Sequence, residues 1–216
     1  MSAKIEALYV DHLGTDLTPV NAARISFANT KQLLDESDIK LIKYLAKHKH
    51  LSPFEHCQLT AIIKCPLYIR SQIHRHRTFA YNEVSRRYTE KNMEFYVPDL
   101  NDIRKQSKSN KQASEGLISE DKLATSEFLF KKANEDCLAI YNTLLENGVC
   151  REQARGVLPQ NLMTEFYMTG NLRNWAHFQK LRLGKDAQKE VRDVAEQLDA
   201  ILKDKFPISY TELMSQ

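Results

Sequence analysis

A chain of 216 residues is long enough to bury one sizeable core and short for two. Hydrophobic residues make up 42% and charged residues 27%, and a formal net charge of +3 excludes a chain that is basic throughout, as a general nucleic-acid binder would be. The start, MSAKIEALYVDH, has no apolar signal core, no apolar run reaches membrane-spanning length, and Cys57, Cys65, Cys137 and Cys150 form no CxxC pair. The expectation is a cytoplasmic protein (host cytoplasm if viral) with free thiols and no metal site, neither membrane nor nucleic acid being a partner.

In chain order, KIEALYV (4–10) suits a short strand, and VNAARISF a short helix or buried segment. DIKLIKYLAK (38–47) puts Ile39, Ile42, Leu45 and Ala46 on one helical face, with Asp38 as N-cap. HKHLSPFEH follows as a polar loop. In CQLTAIIKC (57–65), Cys57, Leu59, Ala61, Ile63 and Cys65 alternate with mostly polar neighbours, the period of a half-buried strand. Pro66 fits the first position of a helix running to about His76, on which Gln72 and Arg75 share one face and Ile69 and Ile73 another. The polar stretch 101–125, poorest in apolar groups over 101–120, reads as a mobile insertion. A helix over 121–146 should turn Ala133, Cys137, Ile140, Leu144 and Leu145 inward, with Gly148 capping its end. REQARGVL is a short helix, LMTEFYM (162–168) a strand, and NLRNWAHFQKLRL a helix ending at Gly184. The last predicted helix, 186–205, buries Val191, Val194, Leu198, Ile201 and Leu202. The class is α+β, a single domain with a small, mainly antiparallel sheet packed by several helices.

The densest chemistry lies between His74 and Tyr88, where Arg75, Arg77, Arg86 and Arg87 follow Arg70 closely and two histidines, Asn82, Glu83 and Ser85 are interleaved. Arginine suits phosphate because its planar fork makes two parallel charge-assisted hydrogen bonds. Glu83 could accept from a ribose hydroxyl or hold an arginine in place. A solvated basic helix end, or an RNA-binding patch, is the plainer reading of such a run. Against both, hydroxyls and amides are mixed with the arginines, no Gly-aromatic stacking pattern appears, and Arg151, Arg155, Arg173 and Arg182 recur inside apolar helices. A small ligand with several phosphates would account for both sets. Six glycines and the absence of GxxxxGKS or GxGxxG leave phosphate binding to side chains.

Residues 75–88, RHRTFAYNEVSRRY, resemble the signature RHRxxSxNxxSxRY of the flavin-dependent thymidylate synthases. Arg75, His76, Arg77, Asn82, Ser85, Arg87 and Tyr88 match, and Ala80 stands where the family usually has Ser. AARISF, HKHLSPFEH, ARGVLP, GNLRNWAHF and LRLGKDAQKEVR also look like family blocks in family order, so the resemblance spans about residues 20–205. It implies that family's fold and a homotetrameric methyltransferase with active sites at subunit interfaces. The enzyme would convert dUMP to dTMP with methylenetetrahydrofolate as carbon donor, FAD as hydride carrier and NADPH as reductant, without a cysteine nucleophile. By position, Gln72, Ile73, His74, Arg75, Glu83, Val84, Ser85, Arg86, Arg87, Arg155 and Arg182 would hold dUMP. Ser26, Ser52, Arg75, His76, Arg77, Glu83, Asn171, Leu172, Arg173 and His177 would meet FAD, and His50 the folate. Arg182 would be the catalytic residue, its guanidinium facing the uracil ring and stabilising negative charge there. Ser85 would bind phosphate, having no general base beside it in sequence.

Overall fold

The alternation read over 57–65 becomes the second strand of the chain. A computed structural model describes residues 3–216. In chain order its elements are β1 (Glu6–Leu13), α1 (Leu17–Arg24), α2 (Glu36–Lys47), β2 (Gln58–Pro66), α3 (Leu67–Ile73), β3 (Ala80–Glu83), β4 (Arg104–Gln106), β5 (Ser114–Leu117), α4 (Glu120–Glu146), α5 (Arg151–Ala154), β6 (Met163–Asn171), α6 (Leu172–Arg182), α7 (Lys189–Lys205) and α8 (Ser209–Met214). Packing groups the chain into two units, one of residues 64–74 and 83–166 with the described start up to Ile5, the other of residues 6–63, 75–82 and 167–216.

The second unit holds residues of all four strands of the larger sheet, whose order is β1-β2-β6-β3. Cys57, Leu59, Ala61 and Ile63 are buried and the residues between them are not, as their period predicts. The Trp175 indole of α6 is fully buried and donates to the Leu59 carbonyl at 3.1 Å. α7 covers β1, where Gln197 accepts from the Ala7 amide at 2.9 Å. Val191, Val194, Leu198 and Leu202 are buried as expected, and Ile201 only partly. α8 has no sequence expectation behind it; Asp16 accepts from the Ile208 and Ser209 amides at its start, at 3.0 and 2.7 Å.

The α2 cap is Asp35, not Asp38. Asp35 accepts from the Ser37 and Asp38 amides, and Asp38 completes the capping box from N3. Asp38 is then fully buried, paired with Arg24 at 2.6 Å and Lys31 at 3.2 Å, while Ile39 is 41% exposed.

α3 ends at Ile73, so Arg75 lies beyond it and shares no helical face with Gln72. The segment after it is drawn into β3 by an aromatic anchor. Phe79 is buried edge-on against Trp175, ring centroids 4.7 Å apart, and its ring lies against Gly170 of β6.

In the first unit the residue after β2 meets the residue before β6, the Leu67 amide donating to the Leu162 carbonyl at 3.0 Å. Within the second unit Thr60 bonds Thr169 at 2.9 Å, so partner numbers fall on β6 as they rise along β2 and the pair is antiparallel. The stretch expected to be a mobile insertion instead forms the β4–β5 hairpin and the start of α4. Its tip closes on Gln106, whose amide donates to the carbonyls of Ser107, Asn110, Lys111 and Ala113 at 3.0–3.5 Å.

α4 departs furthest from its reading. Only Asn134 and Tyr141 of its 27 residues are buried. Ala133 and Ile140, expected inward, are exposed, as are Phe128, Leu129 and Phe130, and Cys137, Leu144 and Leu145 are half-buried. Gly148 takes the left-handed conformation, φ +82°, that closes the helix as its position predicts.

A Cβ at Gly170 would sit 2.4 Å from two ring carbons of Phe79. Gly170→Ala is therefore expected to cost roughly 1–3 kcal/mol of stability. Urea unfolding checks this, and an unchanged midpoint would show that Phe79 does not depend on the bare backbone.

Candidate functional sites

In the first unit a cleft of about 270 Å³ is lined by Glu83, Val84, Ser85 and Arg86 of the signature run and by Arg155, with Arg70, Thr164 and apolar Leu67, Leu158, Leu162 and Met163 completing its walls. Its ordering element is a carboxylate. Glu83 accepts from Arg70 through Nε at 2.9 Å to each oxygen and through Nη2 at 2.5 Å, and from the Thr164 hydroxyl at 2.8 Å. Arg70 and Thr164 have no place in the site read from sequence. Arg70 stood just ahead of the arginine run, and spacing alone gave no reason to pair it with Glu83.

Ser85 starts a tight turn: its carbonyl accepts from the Tyr88 and Thr89 amides and its hydroxyl from the Arg87 amide at 3.3 Å. Arg86 braces that turn, donating to the Lys91 and Asn92 carbonyls at 2.6 and 3.2 Å. Arg87 is exposed, 3.8 Å from Glu152. Arg155 donates through Nε to the Glu152 carbonyl at 3.3 Å, and Arg151 pairs with Glu90 at 3.2 Å. His74 packs its ring edge-on to Phe166, 4.8 Å between centroids, and burial followed by the Arg70 charge pushes its pKa down. Ile73 is fully buried, so its side chain belongs to the core; Gln72 is half-buried and outside the cleft lining.

The second unit carries another cleft, about 760 Å³, lined by Ala46, Lys49, Leu51, Glu55, Thr78, Asn171, Arg173, Asn174, Ala176, His177, Lys180, Leu213 and Gln216. Three of the expected flavin residues, Asn171, Arg173 and His177, meet here. Asn171 caps α6 by accepting from the Asn174 amide at 2.9 Å, and the Asn174 side chain donates to the Thr78 carbonyl at 2.9 Å, which ties the signature segment to the cleft. Arg173 pairs with Glu55 at 2.5 Å. Burial and the nearby Lys49 charge lower the Lys180 pKa. Two amines set close to an arginine form a site that an anion would relieve, and apolar Leu51, Ala176 and Leu213 offer surface for a ring system. A group combining a diphosphate with flat rings fits this set. The sequence reading missed Lys49, Glu55 and Lys180, which lie in family blocks or beside them but outside the arginine pattern.

Arg75 and Arg77 are exposed, whereas His76 between them is 8% exposed. His76 Nε2 accepts from Arg182 Nε at 3.0 Å, its ring lies edge-on to Phe178 at 4.8 Å, and its carbonyl accepts from the Tyr81 hydroxyl at 2.9 Å. Burial, then the charges of Arg182 and His177, hold its pKa down to about 4. Leu172 is fully buried. Ser26 is exposed on the turn Ile25–Phe27, and Ser52 is exposed at the first position of the turn Ser52–His56. His50 is exposed and follows Lys49, which takes φ +57°; its ring and that of His48 gather around Tyr44, centroids 5.9 and 4.3 Å away. Ala80, the departure from the signature, is exposed at the start of β3. Among the described residues, no helix is long and apolar enough to cross a membrane.

Residues 9–208 match the family described as "Thymidylate synthase complementing protein". The chain is 44% identical over 202 residues to the flavin-dependent thymidylate synthase of Thermus thermophilus, covering 93% of this chain and 72% of that one. It is 40% identical over 206 residues to the enzyme of that name from Thermosipho melanesiensis, covering 95% and 88% of the two chains. Among solved structures, the UMP/dUMP methylase PolB from Streptomyces cacaoi, bound with 5-Br dUMP, superposes with a TM-score of 0.89 at 32% identity, covering 99% of this chain and 96% of that one.

The depressed His76 pKa makes stability depend on pH. Between about 4 and the ordinary 6.5 the unfolded chain binds a proton that the folded chain refuses, so His76 favours folding less as pH falls through that window and no further below it. His74 is shifted the same way. Urea midpoints should drop from pH 7 to pH 4.5, with part of that slope removed by His76→Gln.

Proposed function

The chain belongs to the flavin-dependent thymidylate synthase family and is an enzyme that methylates dUMP to dTMP, and we propose that it takes the carbon from methylenetetrahydrofolate and the electrons from NADPH by way of FAD. The supporting observation is the convergence of Glu83, Val84, Ser85 and Arg86 with Arg155, from far along the chain, on a single cleft.

The chemistry sets the requirements. A methylene carbon is one hydride short of a methyl group, and C5 of the uracil must give up its proton to accept it. FAD, when bound, supplies that hydride. The protein must hold a phosphate, polarise a ring and keep a proton exit. Arg155 and the Ser85 hydroxyl suit the dUMP phosphate, with exposed Arg87 two residues beyond Ser85. Glu83, fixed by Arg70 and Thr164, offers its carboxylate to a ribose hydroxyl. Arg182 would face the ring and stabilise charge on its nitrogen and carbonyl oxygens, which makes it the catalytic residue. Lys49, Arg173 and Lys180 suit the FAD diphosphate, with Asn171 and His177 beside them, and Ser26, Ser52, Arg75 and Arg77 are exposed and available to it. His50 is the folate-side residue.

No cysteine is needed. Burial pushes the Cys57 thiol up to about 12 and the Cys65 thiol higher, so neither forms a thiolate near neutral pH. The assembly is a homotetramer, and the exposed apolar side chains of α4 (Phe128, Leu129, Phe130 and Ile140) support burial against another copy.

Tritium release from C5-labelled dUMP, dependent on methylenetetrahydrofolate and NADPH, tests the reaction. Arg182→Ala should abolish release with flavin retained, and Arg155→Ala should raise KM for dUMP about 10- to 100-fold. Arg173→Ala should lower FAD occupancy, read from flavin absorbance. A purified protein that stays colourless after FAD is added would sink the proposal.

A further inference from the structure

Arg182 does not reach its position unaided. It lies in the last turn of α6, and its Nε donates to His76 Nε2 at 3.0 Å. An arginine can only donate, so Nε2 must carry the lone pair and the His76 ring proton must sit on Nδ1. The ring is fixed from both ends. Phe178 lies edge-on at 4.8 Å and His177 at 6.0 Å, while the His76 carbonyl accepts from the Tyr81 hydroxyl at 2.9 Å. At 8% exposed, the ring offers a ligand little surface, although its place in the signature aligns it with flavin-contacting residues.

We infer that His76 is the positioning residue for Arg182, its imidazole acting as a fixed acceptor that sets the plane of the guanidinium against the uracil ring. A guanidinium is planar, so one hydrogen bond to a rigid acceptor at Nε fixes the orientation of the whole fork. Without it the Nε end of the fork would lose its fixed acceptor, and charge stabilisation would lose part of the preorganisation on which it depends. The groups facing the ring are consistent with this role: Arg182 and His177 are both basic, and with burial they keep the imidazole neutral and therefore an acceptor. The inference rests on the proposed role of Arg182 at the uracil ring.

Two measurements on the full chain test it. In ¹⁵N spectra of the flavin-loaded protein, His76 Nε2 should be unprotonated and stay so down to pH 5. A His76 that is protonated at Nε2, or that titrates near 6.5, overturns the inference whatever the enzyme does.

The second is a cycle of variants read by flavin absorbance, dUMP affinity from calorimetry and tritium release. His76→Phe should keep flavin while lowering kcat for release at least roughly 30-fold, with a smaller change in dUMP affinity. Adding it to Arg182→Lys, which keeps the charge but has no planar fork for His76 to orient, should cost little further, since both remove one device. His76→Gln, whose amide oxygen can accept from Arg182, should recover to within about fivefold of the parent. Multiplying losses in the double variant, or a His76→Gln as impaired as His76→Phe, overturns the positioning role. If the parent protein releases no tritium, the function proposed above fails, and with it the uracil end of this inference; the spectra still decide the His76–Arg182 bond separately.

Discussion

The missing side chain at Gly170 is the constraint on which the signature segment depends. Only a bare backbone on β6 leaves room for the Phe79 ring, and only with Phe79 seated against Trp175 can residues after α3 run on into β3. That seating fixes what lies upstream, where His76 is turned inward to meet Arg182 while its neighbours Arg75 and Arg77 face out. In the first unit, Glu83 is held separately by Arg70 and Thr164. His76 is therefore placed by an apolar contact that carries no charge.

Much of this organisation was legible from period and punctuation. The alternation of β2, the apolar stripe of α7 and the glycine that closes α4 are local signals, and local physics settles them. The errors come where tertiary demands outweigh a local rule. Asp38 looked like a cap because Asp is good at caps, but Asp35 can take that place and Asp38 is instead needed by two cations. α3 ends early because the chain beyond it is pulled toward Phe79. The hairpin at 104–117 has few apolar residues to announce it; its tip is held by one glutamine serving four carbonyls, a solution that leaves no periodic trace.

α4 failed for a different reason. Its apolar spacing predicts a face toward the chain's own core, but a hydrophobic stripe says only that something covers it, not what. For a chain proposed to work as a tetramer, the same pattern that would mark an inner face in a monomer marks a face for a neighbour. The functional site was legible to a similar degree. The signature supplies Glu83, Val84, Ser85 and Arg86 of the first cleft, but not Arg70 or Thr164, because positioning partners are chosen by space and not by spacing.

For the phosphate binding proposed above, the arginines take the place that a glycine-rich loop fills in other folds. A glycine-rich loop offers neutral amides that are already aligned, and nothing must be neutralised before the ligand arrives. Here the donors are full charges, and most are held in advance: Arg70 by Glu83, Arg173 by Glu55, Arg151 by Glu90, and Arg86 and Arg155 by backbone carbonyls. The restraint lowers the entropy lost on binding, but each carboxylate also opposes an incoming anion. A carbonyl restrains without adding charge, which makes Arg155 better suited to phosphate than Arg70 or Arg173, each already paired with a glutamate. His76 extends that logic to Arg182: a neutral acceptor holds the guanidinium and adds no negative charge of its own, which suits the role proposed for Arg182 at a ring that is becoming negative.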